Sequence, residues 1–231
     1  MKTVVSIASL SLLLAACTAK EAPPAADTGA MGGTAASTSS DPDRNVAGGG
    51  IPAGYSARTD RPDADITGAK YAASGNAWDV TTGPAHVVYS AGDTASGNYV
   101  VSTTIDQLEK PSHPEAYGLI LGGKDLEGAG QTYTYFLVRG TGDLLVKVRE
   151  GDKTRDVLKW APNAGVAKED GSGKATYALS AAVSADSVKF SVNGKQVAAV
   201  SKAGIPTDGI AGLRINHNLH LKVTPVSITK S

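Results

Sequence analysis

One cysteine, two tryptophans, two phenylalanines and no net charge among 231 residues set the first limits on this chain. The single thiol, Cys17, leaves no partner for a disulfide within the chain, and no Cys/His pair can be argued from spacing. Twenty-two basic residues balance 22 acidic ones, so the chain lacks the field that draws in nucleic acid. No apolar run approaches the roughly 20 residues that span a bilayer. A sustained amphipathic helix, an internal repeat and a Ser/His/Asp arrangement are all missing as well.

What is present begins at the first residues. Lys2 precedes an apolar stretch from Thr3 to Leu14, and the small residues Ala15 and Ala16 stand directly before Cys17. This segment resembles the bacterial lipobox, which implies a signal peptide over residues 1–16 and a mature chain beginning at a lipid-modified Cys17. Lipidation removes the liability of a lone thiol in an exported protein. Each buried methylene contributes about 0.8 kcal/mol, so the two or three acyl chains of a lipoprotein anchor it stably to the membrane. Thr18, where Asp is lacking, implies by the same resemblance sorting to the outer membrane.

Residues 17–50 are Ala, Pro, Gly, Ser and Thr with scattered charge, as in Glu21-Ala-Pro-Pro24 and Gly48-Gly-Gly50. Such a stretch buries too little apolar surface to offset its ordering entropy and is expected to be a disordered tether. About 33 flexible residues span roughly 30 Å. Residues 51–231 then suffice for one domain.

From Trp78 onward the hydrophobic pattern has period two, broken by Gly, Asn and Asp turns. Strands are predicted over 85–90, 98–106, 116–122, 132–139, 143–150, 176–182, 187–192, 195–200, 209–216 and 219–228, which makes an antiparallel all-β domain. Asn193-Gly194 is a strong type I′ hairpin signal, since both central residues need positive φ. It is expected to put Val188, Phe190, Val192, Val197 and Ala199 on one core face. Gly140-Thr-Gly142 joins a second hairpin, in which Leu144, Val146 and Val148 face the core. Lys147 and Arg149 then share the opposite face with Tyr133, Tyr135 and Arg139 across the turn.

The order Asn98-Tyr-Val-Val-Ser-Thr-Thr104, Tyr117-Gly-Leu-Ile-Leu-Gly-Gly123, Tyr133-Thr-Tyr-Phe136, Val157-Leu-Lys-Trp160, Phe190-Ser-Val-Asn-Gly-Lys195 and Gly209-Ile-Ala-Gly-Leu-Arg214 resembles the concanavalin A-like lectin/glucanase family. Its laminin G-like and 3-keto-disaccharide hydrolase versions are the nearest in pattern. The resemblance implies a two-sheet β-sandwich of the jelly-roll kind and, among its functions, glycan binding, hydrolysis or adhesion. A glycosidase of this fold needs clustered carboxylates about 5 Å apart, and Glu-x-Asp-x-x-Glu is missing. Asp125-Leu-Glu127 and Glu150-Gly-Asp152 sit beside glycines and read as turn carboxylates.

Binding is therefore favoured over catalysis, with Tyr133, Tyr135, Arg139, Lys147 and Arg149 as the ligand face. Aromatic rings stack on sugars, and guanidinium groups pair with hydroxyls or carboxylates. Hydrolysis of oxidised sugars and a structural or adhesive role are the alternatives. Calcium is implied by the laminin G-like resemblance, with Asp60, Asp63, Asp65 and Asp93 as loop oxygens. His217 and His220 make a zinc pair only if a turn over 216–218 brings them together. Trp78 and Trp160 are expected in core or sheet-edge packing.

Overall fold

A chain so rich in β-branched residues and turn glycines forms strands almost throughout. The structure, a computed structural model, describes residues 50–60 and 65–230. The expected signal peptide over residues 1–16, Cys17 and all but the last residue of the expected tether lie outside the described residues. Fifteen strands follow in order: β1 (Ser56–Thr59), β2 (Lys70–Ser74), β3 (Ala77–Thr81), β4 (His86–Ala95), β5 (Tyr99–Gln107), β6 (Ala116–Lys124), β7 (Thr132–Arg139) and β8 (Asp143–Glu150). They continue with β9 (Lys153–Pro162), β10 (Ala175–Val183), β11 (Ser187–Val192), β12 (Lys195–Ser201), β13 (Gly209–Ile215), β14 (His220–Val223) and β15 (Ser227–Lys230). One short 3₁₀ turn, Ile66–Gly68, is capped by Asp65, whose carboxylate accepts from Thr67 N at 2.9 Å.

Two antiparallel sheets stack as a jelly-roll β-sandwich, the fold that the resemblance implies. One runs β1-β4-β13-β6-β7-β8-β9, and the other β12-β11-β10-β5-β14-β3-β2, with β15 also on β5. Alternate side chains of both sheets meet between them. Phe136 of β7 lies 4.7 Å from Phe190 of β11, ring centre to ring centre, and Tyr117 of β6 lies 5.8 Å from Tyr177 of β10. Leu144, Val146 and Val148 point into this core. Trp78 joins it, its ring edge-on to Tyr55 and Tyr71, so that tryptophan packs as expected.

The packing leaves little room at two glycines of β6. A Cβ on Gly118 would lie 3.0 Å from Leu137 Cα and press on the Phe136 carbonyl of the paired strand. Gly122 combines φ of 63° with backbone of Pro206 and Thr207 at 2.5 Å from a Cβ, at the point where β6 slips its register against β7.

Three expectations need correction. The stretch read as one strand over 219–228 is two: Pro225 cannot donate to a ladder, and β14 and β15 dock one after the other along the same side of β5. The Asn193-Gly194 hairpin forms, with φ of 50° and 76°, but β12 carries a bulge opposite Phe190 and Ser191. The extra residue shifts the parity beyond it, so Ala198 and Val200 pack on the core while Ala199 is exposed. Finally, β1, β2, β3 and β9 are strands that the pattern search did not find. β9 is an edge strand, exposed for most of its length and charged, so it shows no inward and outward alternation to detect.

Candidate functional site

The outward face of the seven-stranded sheet is where the predicted ligand residues converge. The β7 and β8 register sets Tyr133 opposite Arg149, Tyr135 opposite Lys147, and Arg139 opposite Asp143. Because successive residues alternate, all of these side chains project away from the sandwich core. They share the face with Leu137, Leu145, Ile120, Val87 and Tyr89, which form a second apolar cluster.

The five residues share a face but differ in access. Tyr133 is only 1% exposed and Tyr135 9%, so neither ring is an open stacking platform. Their rings lie 5.7 Å apart, and the Arg214 guanidinium stands 5.9 Å from the Tyr135 ring centre. Burial pushes the Tyr135 phenol up, which keeps it neutral.

Arg214, which the sequence did not single out, comes from β13 in the middle of the sheet. It makes a bidentate ion pair with Asp60, just beyond β1. Arg149 reaches the same Asp60 oxygen at 2.9 Å. Burial alone would raise the Asp60 proton affinity, but hydrogen bonds and charge from Arg214 and Arg149 together outweigh it and hold the carboxyl below its ordinary value. Burial likewise opposes the charge on Arg214, and the Asp60 contacts overcome it. Among the described residues, Arg149 Nε and Arg214 Nε are buried without a hydrogen-bond partner.

Towards the β9 edge the face opens. Trp160 is 36% exposed, and the Arg139 guanidinium sits 4.1 Å from its ring centre. Arg139 is also 3.4 Å from Asp143, and Lys147 is 3.2 Å from Asp156. Trp160 thus lies at the sheet edge, as expected, but presents its ring to solvent. Only the exposure was missed, since β9 itself was not recognised.

The remaining candidates sit elsewhere. His217 and His220 diverge: His220 contacts Asp79 at 3.0 Å and Glu109 at 3.3 Å, whereas His217 turns to Glu115 at 2.9 Å. His86 is buried, taking a hydrogen bond from Tyr71 Oη at 2.6 Å and donating to Pro84 O at 2.8 Å. Burial lowers its pKa to about 4, so the ring is neutral. Of the carboxylates considered for calcium, Asp60 is engaged by two arginines and Asp65 caps the 3₁₀ turn, while Asp63 lies outside the described residues. The Asp125 carboxylate accepts from Gly130 N at 3.0 Å within its own turn, and Glu150 lies 3.4 Å from Arg155.

No protein-family model matches the chain, and no curated protein matches it. Solved structures do resemble it. The carbohydrate binding module CBM66 from Bacillus subtilis superposes with a TM-score of 0.53 at 12% identity, covering 77% of this chain and 96% of the module. A Bacteroides ovatus GH16 protein of a mixed linkage glucan utilisation locus, solved with a G4G4G3G product, superposes with a TM-score of 0.53 at 10% identity, over 76% of this chain and 94% of that one. At such identities the likeness is one of fold.

Proposed function

We propose that this is a lipid-anchored envelope protein whose β-sandwich binds carbohydrate on the outward face of the seven-stranded sheet, without cleaving it. The observation that carries this reading is the exposed Trp160 ring backed by Arg139. An aromatic face next to a guanidinium matches the chemistry of a sugar, whose ring C–H groups stack while its hydroxyls or carboxylates accept hydrogen bonds. Tyr133, Tyr135 and Arg149 extend the same face inward, with their rings and guanidinium held fixed beneath it.

Binding is preferred to hydrolysis on electrostatic grounds. A general acid for glycosidic cleavage needs a raised pKa. Asp60, the carboxylate at the centre of this face, is held the other way by two arginines. Attachment through Cys17 to the outer membrane, with residues 17–50 as a tether, would present this face to envelope glycans.

The test is a polysaccharide panel of neutral and acidic glycans screened by affinity electrophoresis and titration calorimetry. The chain has two tryptophans, Trp78 in the core and Trp160 exposed, so ligand should also shift the emission of the solvent-facing one. Trp160→Ala is expected to weaken binding at least tenfold and to leave the unfolding midpoint unchanged. Binding that survives both Trp160→Ala and Arg139→Ala would remove the site from this face.

A further inference from the structure

Just before β6, whose first residue Ala116 pairs with Arg139 of β7, three potential metal ligands meet. His113 Nδ1 lies 3.1 Å from Glu115 Oε1, and His217 Nε2 lies 2.9 Å from the same oxygen. The two imidazole ring centres are 5.0 Å apart. One ligand atom from each of the three residues falls within a sphere of mutual separations no larger than 4.8 Å. We propose that His113, Glu115 and His217 form a binding site for a divalent transition metal of the zinc class.

The distances suit such an ion. Two ligand atoms bound tetrahedrally at about 2.1 Å from zinc lie roughly 3.4 Å from each other. The two His–Glu separations, 3.1 and 2.9 Å, are within about half an ångström of that edge length. The third pair lies within 4.8 Å and has to draw closer on binding, a movement open to the exposed His113 side chain. Two imidazole nitrogens and one carboxylate oxygen are a borderline donor set, which favours zinc, copper, nickel or cobalt over calcium and magnesium.

The backbone holds these ligands in place without a metal. His113 and Glu115 stand just before β6, and His217 just after β13, two strands that pair through Tyr117 and Ile215. Asn216 N donates to Ala116 O at 3.0 Å, and Asn218 Nδ2 donates to Ser112 Oγ at 2.6 Å, so the two loops are clipped together on both sides of the ligands. Asn216 Nδ2 donates to Glu115 Oε2 at 2.8 Å, the outer-shell contact that fixes a ligating carboxylate and leaves its other oxygen facing the histidines. Beside them lies a cavity of 190 Å³ lined in part by His113, Glu115, Lys110 and Glu169. Three protein ligands next to an open space leave a coordination position for water or an anion.

The experiment uses the full chain, free of any polyhistidine tag and carrying Cys17→Ser so that the thiol cannot ligate. After treatment with chelator, zinc is titrated at pH 7.5 by calorimetry and by competition with a chromophoric zinc indicator, and thermal unfolding is followed with and without zinc, calcium or magnesium. One zinc per chain is expected, with a rise of several degrees in the unfolding midpoint that calcium and magnesium do not give. His113→Ala and His217→Ala should each weaken zinc binding at least tenfold and remove the rise, while His220→Ala leaves both intact. The metal-free midpoints of the variants show whether each is folded, and Glu115→Gln gives a milder loss should an alanine variant fail. No stoichiometric zinc uptake, uptake that persists in the His113→Ala/His217→Ala double variant, or an equal response to calcium would overturn the proposal.

Discussion

Replacing Arg214 with methionine keeps most of the aliphatic packing beneath the sheet face and deletes the charge that holds Asp60. Removing one partner of a buried ion pair costs about 3–5 kcal/mol, chiefly because the other charge is left uncompensated. Here the Asp60 side chain is 32% exposed and retains Arg149 at 2.9 Å, so roughly 2–3 kcal/mol is expected. With a urea slope of about 2 kcal/mol per molar, the unfolding midpoint should fall by roughly 1 M at pH 7 while the slope stays constant. Asp60→Ala alone should also destabilise, by leaving two guanidiniums close together. The double variant Asp60→Ala/Arg214→Met should recover part of the loss, with a coupling of about 2 kcal/mol in the double-mutant cycle. Because the Asp60 proton affinity is lowered in the fold, its contribution is complete above the unfolded carboxylate value near 4 and is lost as pH falls below it. The gap between wild type and Arg214→Met should thus be the same at pH 7 and pH 5 and narrow only below about pH 4. Additive single effects, or a gap that closes between pH 7 and pH 5, would refute the assignment of the pair as a buried, mutually compensating unit.

His86 is buried neutral with its pKa lowered to about 4 against 6.5 in the unfolded chain, so the unfolded state binds the extra proton between those values. Stability should fall as pH drops from 6.5 to 4, by about 3 kcal/mol in total, and urea unfolding of His86→Gln should lack that acid limb even though the variant is weaker at pH 7. Gly118→Ala should cost about 3 kcal/mol, because its methyl group meets the paired backbone of β7; an unchanged midpoint in thermal unfolding would show that the two strands separate easily at that point.

The features legible in the sequence are those written within a few residues. The two hairpins at Gly140 and Asn193 were set by turn chemistry and alternation, and the β7 and β8 register followed, placing Tyr133, Tyr135, Arg139, Lys147 and Arg149 on one face. Ala199 was misplaced because a single inserted residue leaves no compositional mark. The short strands β1 and β2 carry Ala, Ser and Lys where Val and Ile would have announced them. Asp60 and Arg214 are 154 positions apart and become partners only through the sheet order β1-β4-β13. The histidines teach the same lesson in reverse. His217 and His220 look like a pair in sequence, yet the turn sends them to different carboxylates, and His217 finds its neighbours about a hundred residues earlier.

Strand β13 lies between β4 and β6 in one sheet, and β14 lies between β5 and β3 in the other. Each sheet is therefore completed at its middle by a strand from the last part of the sequence. A nascent chain lacking residues beyond 208 has β1 with β4, and β6 through β9, but nothing to join the two groups, and β2 with β3 is likewise cut off from β5. Such high contact order delays closure of the sandwich until nearly the whole chain is available. Under the export proposed for this chain, the topology would hold folding back until nearly all of the sequence has crossed the membrane, so that the outward sheet face is completed last.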